Sequence, residues 1–287
     1  MISVAIFAHQ EERRIALCLN SLPLDRDDIR FHVLVNGSRD RTVELARAIA
    51  NDHTSVIVHD ISKGGKSRTW NSYVHNIIDG GESHYIFMDG DATLTPGAID
   101  ALCSTLDANP AAHATSGMPM NGRQHAAYQK SLRHERGLFG DLYALSAAFV
   151  MRIRSENIRL PLDLIGDDGL IAALAKCDLH DESQYDTRRI IPCDNAGFYC
   201  EPIAAYNPTT WRIQYWRMIN YSTRHFQNRI ISAILRDTGP AGGSKGLPVH
   251  MSDLYPRWVP QFRPRSRPVM WWFDRIALRR MRQTIGS

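Results

Sequence analysis

The chain has no run approaching the roughly 18 uninterrupted apolar residues that a membrane-crossing helix needs, so its 287 residues, 44% of them hydrophobic, read as a soluble globular protein with a substantial core. It also lacks any paired-cysteine pattern. Five cysteines (Cys18, Cys103, Cys177, Cys193, Cys200) are odd in number and scattered, with no CxxC spacing, which suits reduced, space-filling thiols better than a disulfide or zinc framework. The opening residues, MISVAIFAHQEERR, carry neither a basic leader region nor a small-residue cleavage site, so the expected location is cytoplasmic. Acid is scarce at the other end. From Arg257 onward eight arginines (Arg257, Arg263, Arg265, Arg267, Arg275, Arg279, Arg280, Arg282) face one acid, Asp274; that segment carries +7 and, with a chain total of +4, leaves the first 256 residues at −3. A mildly acidic body with a basic, tryptophan-bearing tail points to an anionic surface met by the tail.

What is present, over the first hundred residues, is an alternation of strand and helix signals. ISVAIFA (2–8) is a short β-branched run, followed by helical spacing of Ile15, Leu19 and Leu22 that stops at Pro23. FHVLV (31–35) breaks at NGSRD, where Asn36-Gly37 supplies positive φ and Ser38 or Asp40 can cap a helix bearing Val43, Leu45, Ala46 and Ile49. SVIVH (55–59), a glycine turn with another helix, and YIFM (85–88) complete four strands. Strands separated by helices predict an α/β fold with a parallel sheet, whose ligands sit at its carboxyl edge.

At that edge the fourth strand runs into Asp89-Gly90-Asp91. Two carboxylates one glycine apart repel each other unless a cation lies beside them, and magnesium or manganese, which bind oxygen ligands together with substrate phosphates, are the natural partners. Gly90 permits close backbone approach. By itself the tripeptide reads first as an ordinary Asp-Gly turn, and only its context favours the metal site.

Five segments in order, FAHQEERRIALCLNSL, VLVNGSRDRTVELA, GGKSRTWNSYVHNI, YIFMDGDATLTPGAI and LIGDDGLIAAL, resemble family 2 glycosyltransferases of the GT-A fold, across residues 2–175. The resemblance implies a Rossmann-like nucleotide-binding half (residues 1–110), an acceptor half (111–236), and a further piece (237–287) made of a flexible glycine-rich loop and a basic tail. It implies a nucleotide-sugar donor, UDP before GDP, and a Mg2+ or Mn2+ ion on Asp89 and Asp91. Ala8, Gln10 and Glu11 then fall near the nucleoside. Gln10-Glu11 stands where the family has Asn-Glu, and Glu11 can accept hydrogen bonds from ribose or base; alternatively it is a favourable first-turn helix charge worth about 0.3–1 kcal/mol. Asn36 stands where the family carries a base-recognising aspartate. Lys66 matches a basic residue near the donor, with Arg68 as the alternative.

Asp167 and Asp168 open an apolar helical run and, taken alone, are helix-start acids. The resemblance assigns them to catalysis, with Asp168 as the general base of an inverting transfer. Further on, QYWRM (214–218) resembles the QxxRW segment of processive members. Met218 replaces the tryptophan and membrane helices are absent, so a single transfer per acceptor is expected, with Trp211, Tyr215 and Met218 packing into the body ahead of stacking on the acceptor. The segment 239–246, GPAGGSKG, reads as a lid over the diphosphate or a linker. The acceptor is expected to contact residues 118–139. The arginine and tryptophan content of residues 257–287 is that of a segment lying on an anionic membrane at the inner face, which would make the acceptor lipid-linked; a solvated tail, a dimer contact and a nucleic-acid patch are the rivals. A sugar-nucleotide nucleotidyltransferase lacks support at the amino terminus, where FAHQEERR has no glycine-rich loop. A catalytically inactive GT-A binding protein would keep the same fold.

Overall fold

β1 (Ile2–Ala8) is buried along its whole length, with Val4, Ile6 and Ala8 entering one core and Ala5 and Phe7 the other, the two-residue alternation of a strand covered on both faces. The computed structural model describes residues 1–200, 208–239, 242–263 and 268–284; Pro240 and Ala241 of the glycine-rich segment and Arg265 and Arg267 of the basic tail lie outside them. After β1 come α1 (Ile15–Asn20), β2 (Ile29–Asn36), α2 (Thr42–Ala50), β3 (Val56–Ile61), α3 (Lys66–Ser72) and β4 (His84–Asp89), the order the alternation predicts. Asp40, just ahead of α2, accepts from the Thr42 amide and hydroxyl, while Ser38 accepts instead from the Gln10 amide. Of the Asn36-Gly37 pair only Gly37 has positive φ, Asn36 being the last residue of β2.

The chain continues through β5 (Ala92–Leu94), α4 (Ala98–Asp107), β6 (Ala114–Pro119), α5 (His125–Glu135), β7 (Leu142–Ser146), α6 (Ala147–Ser155), α7 (Asp167–Lys176), β8 (Ile190–Cys200), α8 (Pro208–Arg236) and α9 (Pro268–Gln283). One eight-stranded sheet has the order β3-β2-β1-β4-β7-β6-β8-β5, and only β7 and β5 run against the rest. One core lies between the sheet and α1, α2 and α4. A second packs α3, α6, α7 and the last turns of α8 on the opposite face.

The basic tail is in large part folded. Phe273, Ala277 and Met281 of α9 pack on Ile219 and Phe226 of α8, and Asp274, fully buried, pairs with Arg263, which also donates to Ser222. The described part of the glycine-rich segment, Gly242–Gly246, forms a short turn in which Ser244 donates to the Leu179 carbonyl. A side chain at Gly243 would meet the His180 carbonyl at 2.9 Å. This docking lies beyond the carboxyl end of α7, whereas the acids open its amino end. Trp211 and Tyr215 are exposed, Tyr215 with its ring 5.7 Å from that of the buried Phe273, and Met218 packs against the core between α8 and α9.

Candidate active site at the carboxyl edge of the sheet

β1, β2 and β4 are parallel neighbours, so Ala8, Asn36 and Asp89 end at the same edge. Asn36 ties this edge together: its Nδ2 donates to the Ala8 carbonyl at 3.0 Å and its Oδ1 accepts from the Gly65 amide at 3.1 Å. Gly37, at φ +59, lies so close to Gly64 that a Cβ would meet the Gly64 nitrogen at 2.7 Å. Between these turns opens a cleft of about 510 Å³ lined by Phe7, His9, Glu11, Asn36, Gly64, Gly65, Lys66, Asp89 and Asp91. Burial, then the charge of Asp91, pushes the Glu11 carboxyl up to about 7 against the opposing pull of Arg14.

Three carboxylates meet at the cleft's end. Oxygens of Asp89, Asp91 and Asp141 all lie within 4.8 Å of one another. Asp141 comes from the residue before β7, and Cys200 Sγ, at the end of β8, donates to its Oδ1 at 3.4 Å. Lys66 Nζ stands 2.5 Å from Asp89 Oδ1 and donates to the Gly140 carbonyl at 3.2 Å, and Arg14 lies 3.4 Å from Asp91. Burial raises the carboxyls of Asp89 and Asp141, and neighbouring carboxylates add to it while Lys66 opposes. The Lys66 ammonium is pushed up: burial alone would lower it, but Asp167 and Asp89 outweigh that. With all three ionised, the cluster would carry more negative charge than Lys66 and Arg14 balance.

On the other side of Lys66 lies the start of α7. Asp167 has a buried Oδ2, 3.9 Å from Lys66 Nζ, that has no hydrogen-bond partner among the described residues. Asp168 is held by Arg224 of α8, whose Nη2 is 3.0 and 3.1 Å from its two oxygens. The glycines of GDDG make room for that guanidinium: a Cβ on Gly166 would fall 2.4 Å from Arg224 Nε, and one on Gly169 3.2 Å from Nη2. Asp168 also approaches Gly140, next to Asp141, where an added Cβ would lie 3.7 Å from its Cγ.

Of the residues expected from the sequence, Glu11, Asn36, Lys66, Asp89 and Asp91 line one cleft, and Asp167 adjoins it through Lys66. Ala8 and Gln10 are not in its walls. Ala8 is fully buried beneath Gly90, and Gln10 is exposed at φ +59 just past the end of β1, while Phe7, His9 and Glu11 line the cleft. The close approach that Gly90 permits is to β1, whose Phe7 carbonyl accepts from its amide at 2.8 Å. Cys18 and Cys200, read as filler, bond to the Asp89 carbonyl and to Asp141. Asp141, Arg224, His9 and Phe7 escaped the sequence reading; the only signal for Asp141 was an acid placed directly before an apolar run.

Among curated proteins none matches the chain. Among solved structures, a mannosyltransferase from Pyrobaculum calidifontis, in complex with GDP-Man and Mn2+, superposes with a TM-score of 0.60 at 19% identity, over 100% of this chain and 76% of that one. Glucosyl-3-phosphoglycerate synthase from Mycobacterium tuberculosis, with Mn2+, UDP and glucosyl-3-phosphoglycerate, gives 0.53 at 18%, over 86% and 81%. TarS residues 1–349 from S. aureus, with UDP-GlcNAc, gives 0.52 at 14%, over 98% and 91%. At these identities the likeness is one of fold, a GT-A-like mixed sheet with a helical extension. Sequence goes further: residues 3–174, more than half of the chain, match the family described as Glycosyl transferase family 2, and the protein belongs to that family.

Proposed function

We propose that the protein moves a sugar from a nucleoside-diphosphate sugar to an acceptor hydroxyl with inversion, with a divalent cation at Asp89, Asp91 and Asp141 and with Asp168 as general base. The observation that carries this reading is the placing of two acid groups on either side of Lys66: the three-carboxylate cluster beside the cleft, and Asp167-Asp168 at the start of α7. The first group suits a leaving diphosphate, the second an incoming hydroxyl.

Three carboxylate oxygens within 4.8 Å are a hard donor set that fits Mg2+ or Mn2+, and the surplus negative charge is what such an ion would neutralise. When bound, the ion supplies charge neutralisation as the nucleoside diphosphate leaves. Glu11 and His9 stand where ribose and base would lie, and Lys66 supplies a cation between the diphosphate and the acids. Asp168 takes the acceptor proton on the face opposite the leaving group, which dictates inversion. UDP is the first choice of nucleotide and GDP the second; the solved relatives are complexed with one or the other.

The test is turnover of UDP-glucose, UDP-GlcNAc and GDP-mannose with Mn2+ or Mg2+. Release of nucleoside diphosphate supports transfer, release of pyrophosphate would assign a nucleotidyltransferase, and donor binding without turnover would assign a binding protein. Asp168→Asn should lower the rate by about 100-fold or more with donor affinity retained. One observation favours a second reading, with Asp167 as base: its buried Oδ2 accepts no hydrogen bond among the described residues. A larger loss in Asp167→Asn than in Asp168→Asn would select it, and a product that keeps the donor's anomeric configuration would overturn both.

A further inference from the structure

We propose that the first turns of α8 and the adjoining face of α9 form a surface that seats on an anionic phospholipid bilayer. Residues 211–217 are seven consecutive exposed positions, and four are large and apolar: Trp211 is 68% exposed, Ile213 51%, Tyr215 40% and Trp216 41%. A helix packed on its own protein hides one stripe, as α8 does further along with Ile219, Phe226, Ile230 and Leu235. Its opening turns instead carry apolar side chains at i, i+2, i+4 and i+5, too wide a spread for a single buried stripe. α9 extends this surface: the Trp272 ring lies 6.4 Å from that of Tyr215, and Val269, one turn earlier, is also exposed.

The charge is of one sign. α8 has no Asp or Glu in 29 residues and carries Arg212 and Arg217 in the exposed stretch; α9 adds Arg275, Arg279, Arg280 and Arg282, and its sole acid, Asp274, is buried against Arg263. Arg280 lies over the Trp216 ring at 4.7 Å and Arg275 over the Trp271 ring at 4.0 Å. Rings with cations upon them match the bilayer interface, where the ring enters the acyl boundary and the cation meets phosphate. A second copy of the chain would set like charge on like charge. A nucleic acid would use the arginines and the rings but leave Ile213 and Val269 in water. A bilayer with anionic headgroups takes up both.

The position also fits a membrane-borne acceptor. Arg224, which touches Asp168, follows Trp216 and Trp211 on the same helix by eight and thirteen residues, about 12–20 Å along its axis. That last link rests on the proposed transfer chemistry; the seating on a bilayer does not, and is tested without turnover. Full-length protein is floated with vesicles of phosphatidylcholine, with and without phosphatidylglycerol, alongside Trp211→Ala/Trp216→Ala/Trp272→Ala and Arg212→Glu/Arg217→Glu variants, with melting temperatures confirming that each is folded. Expected are about tenfold or greater preference for the phosphatidylglycerol vesicles and a comparable loss in both variants. Failure to float, indifference to phosphatidylglycerol, or retention of binding in either variant would overturn the proposal. So would variants that instead dissolve a dimer or lose binding to single-stranded DNA.

Discussion

Asp141 stands beside Asp89 because β7 runs antiparallel to β4 with Leu142 opposite Met88, so the residues flanking that pair meet at the edge of the sheet. The two belong to one cluster with Asp91, although more than fifty residues separate them in the chain. Asp141→Asn keeps the shape and removes one charged ligand. It should weaken Mn2+ binding in the presence of UDP by about tenfold or more, measured by titration calorimetry. Wild-type affinity in the variant would remove Asp141 from the metal set.

How much of this was legible follows from which contacts are local in sequence. β1 to β4 are apolar runs whose parallel order leaves their ends at one edge, so Glu11, Asn36, Asp89 and Asp91 could be gathered from the sequence with no coordinates. Asp141 could not, because β7 reverses direction and a lone acid before LYALS carries no mark of its partner strand. Arg224 lies 56 residues beyond Asp168 and outside the family match, on a helix whose sequence carries no mark of that acid. The tail's basic and aromatic composition was legible but its packing partner was not: Asp274 and Phe273 are buried because α9 has α8 to pack upon.

Arg224 acts on the reaction through Asp168, and a double-mutant cycle can show it. Arg224→Gln alone should lower turnover by about tenfold with donor affinity retained, since it touches no residue of the cleft. In an Asp168→Asn background the same change should cost little more, because the group it orients is already disabled. Additive losses in the two backgrounds would show that Arg224 merely supports the fold.

Gly90 is the one position in the acid motif where a methyl group has no room. A Cβ there would lie 3.0 Å from the Ala8 Cβ and 3.1 Å from the Phe7 carbonyl, both part of a central strand that cannot give way. Gly90→Ala should destabilise by about 1–3 kcal/mol in urea denaturation and should also weaken nucleotide binding, as Asp89 and Asp91 are displaced together. A variant with unchanged midpoint and affinity would mean that β1 yields more easily than its packing indicates.

His32 and His59 impose a pH dependence that lies apart from the acids. The two rings, on neighbouring strands β2 and β3, stack at 5.3 Å with His32 Nδ1 3.1 Å from His59 Nε2, and Tyr73 packs edge-on against His32. Burial, and then the charge of His59, pulls His32 down from 6.5 to about 4. The unfolded chain therefore takes up this proton at a higher pH than the folded one does. Stability is full above about pH 6.5 and is lost as the pH falls toward 4, by on the order of 3 kcal/mol for His32 alone. Glu11, raised to about 7, works in the opposite sense over part of this range, so the contribution has to be read as a difference between proteins. His32→Gln retains a hydrogen-bond donor for His59 but cannot titrate. Its unfolding free energy, measured by urea titration from pH 7 to 4, should fall less steeply than that of the wild type, and parallel curves would show that His32 is protonated in the folded protein without cost.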